Sequence, residues 1–385
     1  MSRAIFVYEP SLSGYTLSEG HPFKPVRLEL TRSLLYDAEL LTAEQEVLPQ
    51  ALDEGLLYSI HDSRYIEAVK AVSQGKRLAQ AYTFGLGTAD NPIFPAMHEA
   101  VSSVCAATVT AVELVASGQA QRAVNLAGGL HHALAAKASG FCIYNDLAVG
   151  IEHAVKRHGL RVAYLDLDAH HGDGVQWLFY ERPEVMTISL HESGRYLFPG
   201  TGHTFELGKG AGRGTSVNVP LEPFTEDDSF LECFEAVVPA ALAAFKPDLL
   251  VLQAGADMHR YDPLADLAIS TGAMWQSYQR VSELADQYCQ GRLVATGGGG
   301  YDPYRTVPRA WALLWAALSR QPAPELVPEA WRSRWQPISP DQLPTHFFDD
   351  VSAWPPIARR AEIASYNRAV AARVLQTLTP IWQSS

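Results

Sequence analysis

Short apolar runs, many rich in β-branched residues, recur along the chain at Ala4–Tyr8, Ala123–Leu126, Val162–Leu167, Val185–Leu190, Ser216–Val219, Leu249–Leu252 and Leu293–Ala295. Apolar runs of this length predict strands buried on both faces. Between most of them lie longer stretches with apolar positions at helical spacing, clearest at Ala96–Ser117, Asp146–His158, Asp227–Phe245, Gly272–Cys289 and Thr306–Leu318. Strands alternating with helices predict a parallel α/β sheet, which binds its ligands beyond the carboxyl ends of the strands. Two long Gly- and aromatic-containing stretches, Tyr82–Pro95 and His191–Gly214, are expected to be loops that wall a pocket. Residues 321–356 hold 8 of the 24 prolines together with Trp331, Trp335 and Trp354. Three tryptophans argue for a packed segment over a solvated linker, leading into a last helix over Ile357–Leu378. No repeat or low-complexity tract interrupts the pattern, so the expectation is one domain over 1–320 with an extension, 321–385, packed on it.

Composition narrows the class. With 47% hydrophobic and 19% charged residues in a chain of 385, the protein has a large core and is neither disordered nor a coiled coil. Thirty Lys+Arg against 42 Asp+Glu give a net charge of -12, which repels phosphate backbones and anionic lipid. Nucleic acid and membrane are therefore not expected as partners, whereas a cationic one is favoured. Cys105, Cys142, Cys233 and Cys289 form no CxxC pair and read as reduced thiols. The first apolar run, Ala4–Tyr8, is far shorter than a signal-peptide core, and the expected location is the cytoplasm.

The densest chemistry lies in Val162-Ala-Tyr-Leu-Asp166-Leu-Asp168-Ala-His170-His171-Gly172-Asp173-Gly174. On a strand over Val162–Leu167, a period of two puts Asp166 and Asp168 on one side, and the chain then delivers His170 at the strand's carboxyl end. Three acids and two histidines at a buried strand end need pairing or a cation. The other reading is a turn whose acids cap the next helix, which suits Asp166 or Asp173 singly better than it suits the whole cluster. Asp257, ending the apolar run from Leu250, is the best candidate for a third ligand, because parallel strand ends meet at one sheet edge. Asp168, His170 and Asp257 would leave coordination positions open for water and substrate, as catalytic metals require. This mixed N/O set suits Zn²⁺ first and Fe²⁺ second, ahead of Ca²⁺ or Mg²⁺.

Two further motifs follow strand-like runs. In Gly128-Gly129-Leu130-His131-His132 the histidines are either a surface coincidence or acid–base groups oriented by acids such as Asp166 and Asp173. Thr296-Gly-Gly-Gly-Gly300-Tyr301 lacks the GK[ST] of a phosphate cradle. Its glycines could instead bring a phenol close to the metal as an oxyanion donor, or Tyr301 is a packed aromatic.

Together these segments resemble the histone deacetylase family, closest to its class I-like bacterial branch, the acetoin-utilisation deacetylases. The resemblance runs from about Tyr8 to Leu318 and takes in Gly20-His-Pro-Phe-Lys-Pro-Val-Arg27, Gly87-Thr-Ala-Asp90-Asn-Pro-Ile-Phe94, Ala138-Ser-Gly-Phe-Cys-Ile-Tyr-Asn-Asp146 and Phe198-Pro-Gly-Thr-Gly202. It implies a single arginase/deacetylase-type α/β domain, with a central eight-stranded parallel sheet flanked by helices and a narrow tunnel to the metal. It implies Asp168, His170 and Asp257 as zinc ligands, His132 as general base and acid, and His131 as its electrostatic partner. Asp166 would then support His131, and Asp173 would support His132. Tyr301 resembles the carbonyl-polarising tyrosine, Phe141 and Phe198 the tunnel walls, Gly140 a floor residue, Asp90 the rim acid that holds substrate backbone and Leu264 the residue at the tunnel mouth. Arg27 resembles the arginine of an internal acetate channel. Asp166, Asp168, His170, Ser189 and Leu190 match an inner monovalent-cation site, implying a structural K⁺. The implied reaction is hydrolysis of acetyl-lysine in a protein or peptide.

Rival readings are a deacylase of small acetylated amines, a catalytically weak acetyl-lysine-binding module and an arginase-like enzyme with two manganese ions. Leu264, where polyamine-specific relatives place a glutamate, weighs against the first, and the complete catalytic set weighs against the second. The third needs an acid where this chain has His259. His203 and Met258-His259-Arg260 depart from the family pattern and are expected near the rim.

Overall fold

The computed structural model describes residues 4–384. Its strands are β1 (Ala4–Val7), β2 (Glu46–Val47), β3 (Arg122–Asn125), β4 (Val162–Asp166), β5 (Val185–Glu192), β6 (Ser216–Leu221), β7 (Leu249–Gln253) and β8 (Leu293–Thr296). They form one sheet in the order β2-β1-β3-β8-β7-β4-β5-β6, and every pairing is parallel. All residues of β1, β3, β4, β5, β7 and β8 are buried, which is why their sequences are apolar without alternation. The eighth strand, β2, was not among the predicted runs. Its two half-buried residues pair with Phe6 and Val7 at the sheet edge and are too few to show a period.

The helices are α1 (Val26–Asp37), α2 (Glu54–Ile60), α3 (Ser63–Ser73), α4 (Met97–Ala116), α5 (Asp146–His158) and α6 (Asp173–Leu178). They continue with α7 (Asp227–Phe245), α8 (Thr271–Cys289), α9 (Val307–Ser319), α10 (Glu329–Trp335) and α11 (Arg360–Ser384). α4 is long and apolar enough to pass for a membrane span, but it packs on α5 and β3 and buries most of its apolar positions. α11 begins later than predicted and runs on past Leu378, with Pro380 inside it, because Trp382 still has a partner: its Nε1 donates to the Gly214 carbonyl at 2.8 Å. His191, expected in a loop, is the seventh residue of β5.

The stretch after α9 packs on the sheet's helical layer. Trp331 is fully buried and donates to the Leu30 carbonyl at 2.9 Å, while Trp335 donates to Ser33 Oγ at 3.0 Å. Both partners lie in α1.

Candidate active site

Four adjacent strands in the middle of the sheet, β3, β8, β7 and β4, send the chain into one buried cluster at their carboxyl ends. From β4 come Asp166, Asp168 and His170, and from β7 comes Asp257; all four are buried. His170 Nδ1 lies 2.9 Å from Asp257 Oδ2 and 3.2 Å from Asp168 Oδ1. The remaining carboxylate oxygens are tied back into the protein. Gly299 N and Gln253 Nε2 each donate to Asp168 Oδ2 at 2.7 Å, and Ala169 N donates to Asp257 Oδ1 at 2.9 Å. One oxygen of each acid is thereby aimed at the imidazole nitrogen. Gly299 is required there, since a Cβ would stand 1.9 Å from Asp257 Oδ2.

Such a cluster demands positive charge. Burial and the neighbouring Asp168 charge push Asp257 up to about 7. Burial opposes charge on His170, yet Asp168 and Asp257 together hold it well above its ordinary value. One nitrogen and two carboxylate oxygens, all within 4.8 Å of one another, fit a divalent transition metal, which would satisfy both acids without a shared proton.

Two histidine–aspartate pairs stand beside this set. His131 Nδ1 lies 2.8 Å from Asp166 Oδ2, His132 Nδ1 lies 2.7 Å from Asp173 Oδ1, and the two rings are 4.0 Å apart between centroids. The loop that carries them is fixed from α5. Asp146 Oδ1 accepts from Leu130 N at 2.7 Å, and Asn145, which caps α5, donates Nδ2 to the carbonyls of His131 at 3.2 Å and Ala133 at 3.0 Å. Burial alone would keep both imidazoles neutral. Around His131 the carboxylates of Asp166 and Asp168 outweigh burial and raise it to about 9. At His132 burial wins, reinforced by the neighbouring charge on His131, and the ring falls to about 4 despite Asp173.

Tyr301 follows β8. Its ring packs edge-on against Phe141 at 5.7 Å and His170 at 6.4 Å, and among the described residues its hydroxyl has no hydrogen-bond partner. Its position is set from its backbone: Tyr301 N donates to Asp262 Oδ2 at 2.7 Å, while Leu264 N donates to Oδ1 of the same carboxylate at 2.9 Å. Arg27, buried between Phe23 and Trp311, donates Nη1 to the carbonyls of Gly298 at 3.0 Å and Gly300 at 2.8 Å, bracing the same glycine run.

Aromatic walls lead outward. Phe198 packs edge-on against His132 at 5.0 Å, and Gly140 sits so close that a Cβ would stand 2.5 Å from His132 Cδ2 and 2.8 Å from Phe198 Cε1. Gly140 also has a φ of 49°, doubly favouring glycine. Phe141 is held by His21 at 4.4 Å, whose Nε2 meets the Asp90 carbonyl at 3.2 Å. Asp90 itself is exposed and Leu264 half-buried.

The chain matches the Histone deacetylase domain over residues 21–318. It is 45% identical to the acetoin utilization protein AcuC of Bacillus subtilis (strain 168) over 380 residues, covering 98% of each chain. The chain belongs to the histone deacetylase family. The AcuC of Staphylococcus aureus (strain MRSA252) is 40% identical over 376 residues, 97% of each chain. The solved structure of a histone deacetylase homolog complexed with SAHA superposes with a TM-score of 0.85 at 30% identity, covering 96% of this chain and all of that one. A homolog from Aquifex aeolicus gives 0.84 at the same identity and coverage. This family member, an AcuC-like hydrolase, has the eight-stranded parallel sheet of its structural neighbours.

The rim expectation fails for Met258 and His259, both of which are buried. His259 is not at the rim: it is fully buried, with Nε2 2.9 Å from Asp349 Oδ2 and Nδ1 3.1 Å from Thr306 Oγ1. The acid that attracts it lies 90 positions downstream, in the extension. His203 is half-buried and stacks on the exposed Phe205 at 4.9 Å. Ser189 pairs with Asp166 across β4 and β5, with Leu190 next to it on β5. Gln253 and Asp262 went unnoticed in the sequence. The only sign of Gln253 was a polar residue closing an apolar strand, and Asp262 had only its Asp-Pro-Leu context.

Proposed function

We propose that this chain is a zinc-dependent deacetylase that hydrolyses acetyl-lysine amides in proteins or peptides to lysine and acetate. The observation that carries the reading is the pair of histidine–aspartate contacts beside one metal-donor set, His131 with Asp166 at 2.8 Å and His132 with Asp173 at 2.7 Å, an arrangement that favours a charged His131 and a neutral His132. Asp168, His170 and Asp257 would hold a divalent ion, which when bound would supply Lewis acidity for amide hydrolysis. The remaining roles belong to the chain's own groups. His132 takes the proton as the water oxygen bonds to the carbonyl carbon, and returns it to the amine nitrogen as the carbon–nitrogen bond breaks. His131 keeps a positive charge next to that exchange. The free hydroxyl of Tyr301 donates to the carbonyl oxygen as it gains negative charge.

Phe141, Phe198 and Leu264 would enclose the methylene stem, and Asp90 would accept from substrate backbone at the rim. Arg27 stands behind the site, where released acetate would need a cation. A structural K⁺ among Asp166, Asp168, His170, Ser189 and Leu190 belongs to the same reading. A two-manganese alternative loses support, since the ring of His259 is already engaged by Asp349 and Thr306. The test is acetate release from an acetyl-lysine peptide after chelation and after restoring Zn²⁺ or Fe²⁺. No turnover with either metal restored would overturn the proposal.

A further inference from the structure

A second group of side chains with metal-donor atoms lies at the opposite edge of the sheet. α4 leads into β3 and α5 into β4, so both helices end where these strands begin, away from the catalytic pocket. The two helices pack against each other. Near their ends, His153 Nε2 and His158 Nε2 approach the same oxygen, Glu113 Oε2, at 2.6 and 2.9 Å. The three side chains are only 10%, 19% and 17% exposed, respectively. We propose that Glu113, His153 and His158 form a second, non-catalytic metal site whose ligand is Zn²⁺ or a similar divalent transition metal.

The donor chemistry selects the metal: two imidazole nitrogens and one carboxylate oxygen, all within 4.8 Å of one another, suit zinc and not the all-oxygen cations. The field selects a cation. Glu113 and His158 lie in the last turns of α4 and α5, where the helix carboxyl ends add partial negative charge to that of the Glu113 carboxylate. A cleft of about 440 Å³, bordered by Thr110, Gln119 and Glu113 itself, gives water access to complete the shell. Neighbouring cations do not block it. Lys156 is engaged by Glu152 at 2.9 Å, and Arg157, 3.5 Å from Glu113 Oε2, has a side chain 67% exposed that can turn outward. Bound there, the ion would tie α4 to α5 at the end remote from Asp146, and so act on stability and not on turnover.

The competing account is that Glu113 merely accepts two imidazole N–H groups. Chelator-stripped full-length protein titrated with Zn²⁺ alone separates the two. Wild type should bind two equivalents, and His153→Ala/His158→Ala should bind one, with acetyl-lysine turnover unchanged. The zinc-dependent rise in Tm beyond the first equivalent should be lost in that variant. His158→Asn, in the last turn of α5, provides the same reading if the double variant does not fold. Equal zinc stoichiometry in wild type and the double variant would overturn the site, whatever the catalytic pocket itself binds.

Discussion

Replacing Tyr301 by phenylalanine isolates one atom of the proposed chemistry. The ring contacts to Phe141 and His170 do not involve the hydroxyl, and the backbone bond to Asp262 is untouched. The hydroxyl has no protein partner among the described residues, so its removal breaks no ground-state hydrogen bond. Folding stability should therefore change by less than about 1 kcal/mol, as for a substitution that creates no cavity and orphans no group. The whole cost should fall on the step in which the carbonyl oxygen gains charge. Loss of one oxyanion donor lowers kcat by about 10²- to 10³-fold, or about 2.7–4 kcal/mol of barrier. Because the donor acts on the developing charge, kcat and kcat/KM should fall together with little change in KM. The assay is steady-state acetate release from an acetyl-lysine peptide, with metal content and Tm measured on the same preparation. Turnover within about threefold of wild type, well short of the loss expected for an oxyanion donor, would show that Tyr301 only packs.

Asp257→Ala should lose the proposed metal and with it activity, because only Asp168 and His170 would remain of the three donors; full metal occupancy by elemental analysis would remove Asp257 from the ligand set. Activity versus pH should form a plateau bounded by the two histidines, rising through about 4 as His132 loses its proton and falling through about 9 as His131 loses its own. Asp166→Asn removes a charge that raises His131, so the basic limb should move to lower pH; a limb that stays in place would assign it to another group. Gly140→Ala should disturb His132 and Phe198 together and cut kcat/KM, whereas near-normal kinetics would mean the loop can shift. Acetyl-lysine peptides should have a higher kcat/KM than acetylspermidine, and Leu264→Glu should narrow the gap by adding a partner for a distant ammonium; a wild type that prefers the polyamine would overturn the substrate class.

Legibility in the sequence followed length and burial. α5 and α7 begin and end at their predicted residues, since each combines a helical apolar stripe with a clear stop: Gly159 after α5, and the Lys246–Pro247 break after α7. The long buried strands were equally clear. β2 was not, being two residues held only by pairing with β1. Within the site, Asp166, Asp168 and His170 could be grouped because one strand end presents them. Gln253 and Asp262 could not, because their work is to orient Asp168 and Tyr301 across gaps of 85 and 39 residues. Such support is carried by tertiary contact and leaves no local spacing to read.

His259 shows the same principle at longer range and explains the proline- and tryptophan-rich stretch. Asp349 Oδ2 meets His259 Nε2 at 2.9 Å and accepts from Thr271 N and Thr271 Oγ1 at 2.8 Å each, and its Oδ1 accepts from Arg309 Nη2 at 3.0 Å. Burial works against its charge, but His259 and Arg309 hold the carboxyl well below the usual range, so it stays ionised. Its partners are pointed choices. His259 follows the proposed ligand Asp257 by two residues, Thr271 opens α8, and Arg309 belongs to α9, which follows Tyr301. One carboxylate from the extension thus ties together the two chain segments that carry the proposed third metal donor, Asp257, and the proposed oxyanion donor, Tyr301. The extension therefore belongs to the architecture of the site: removing it would leave His259 and Arg309 buried without their acid, beside groups whose placement must hold within a fraction of an ångström.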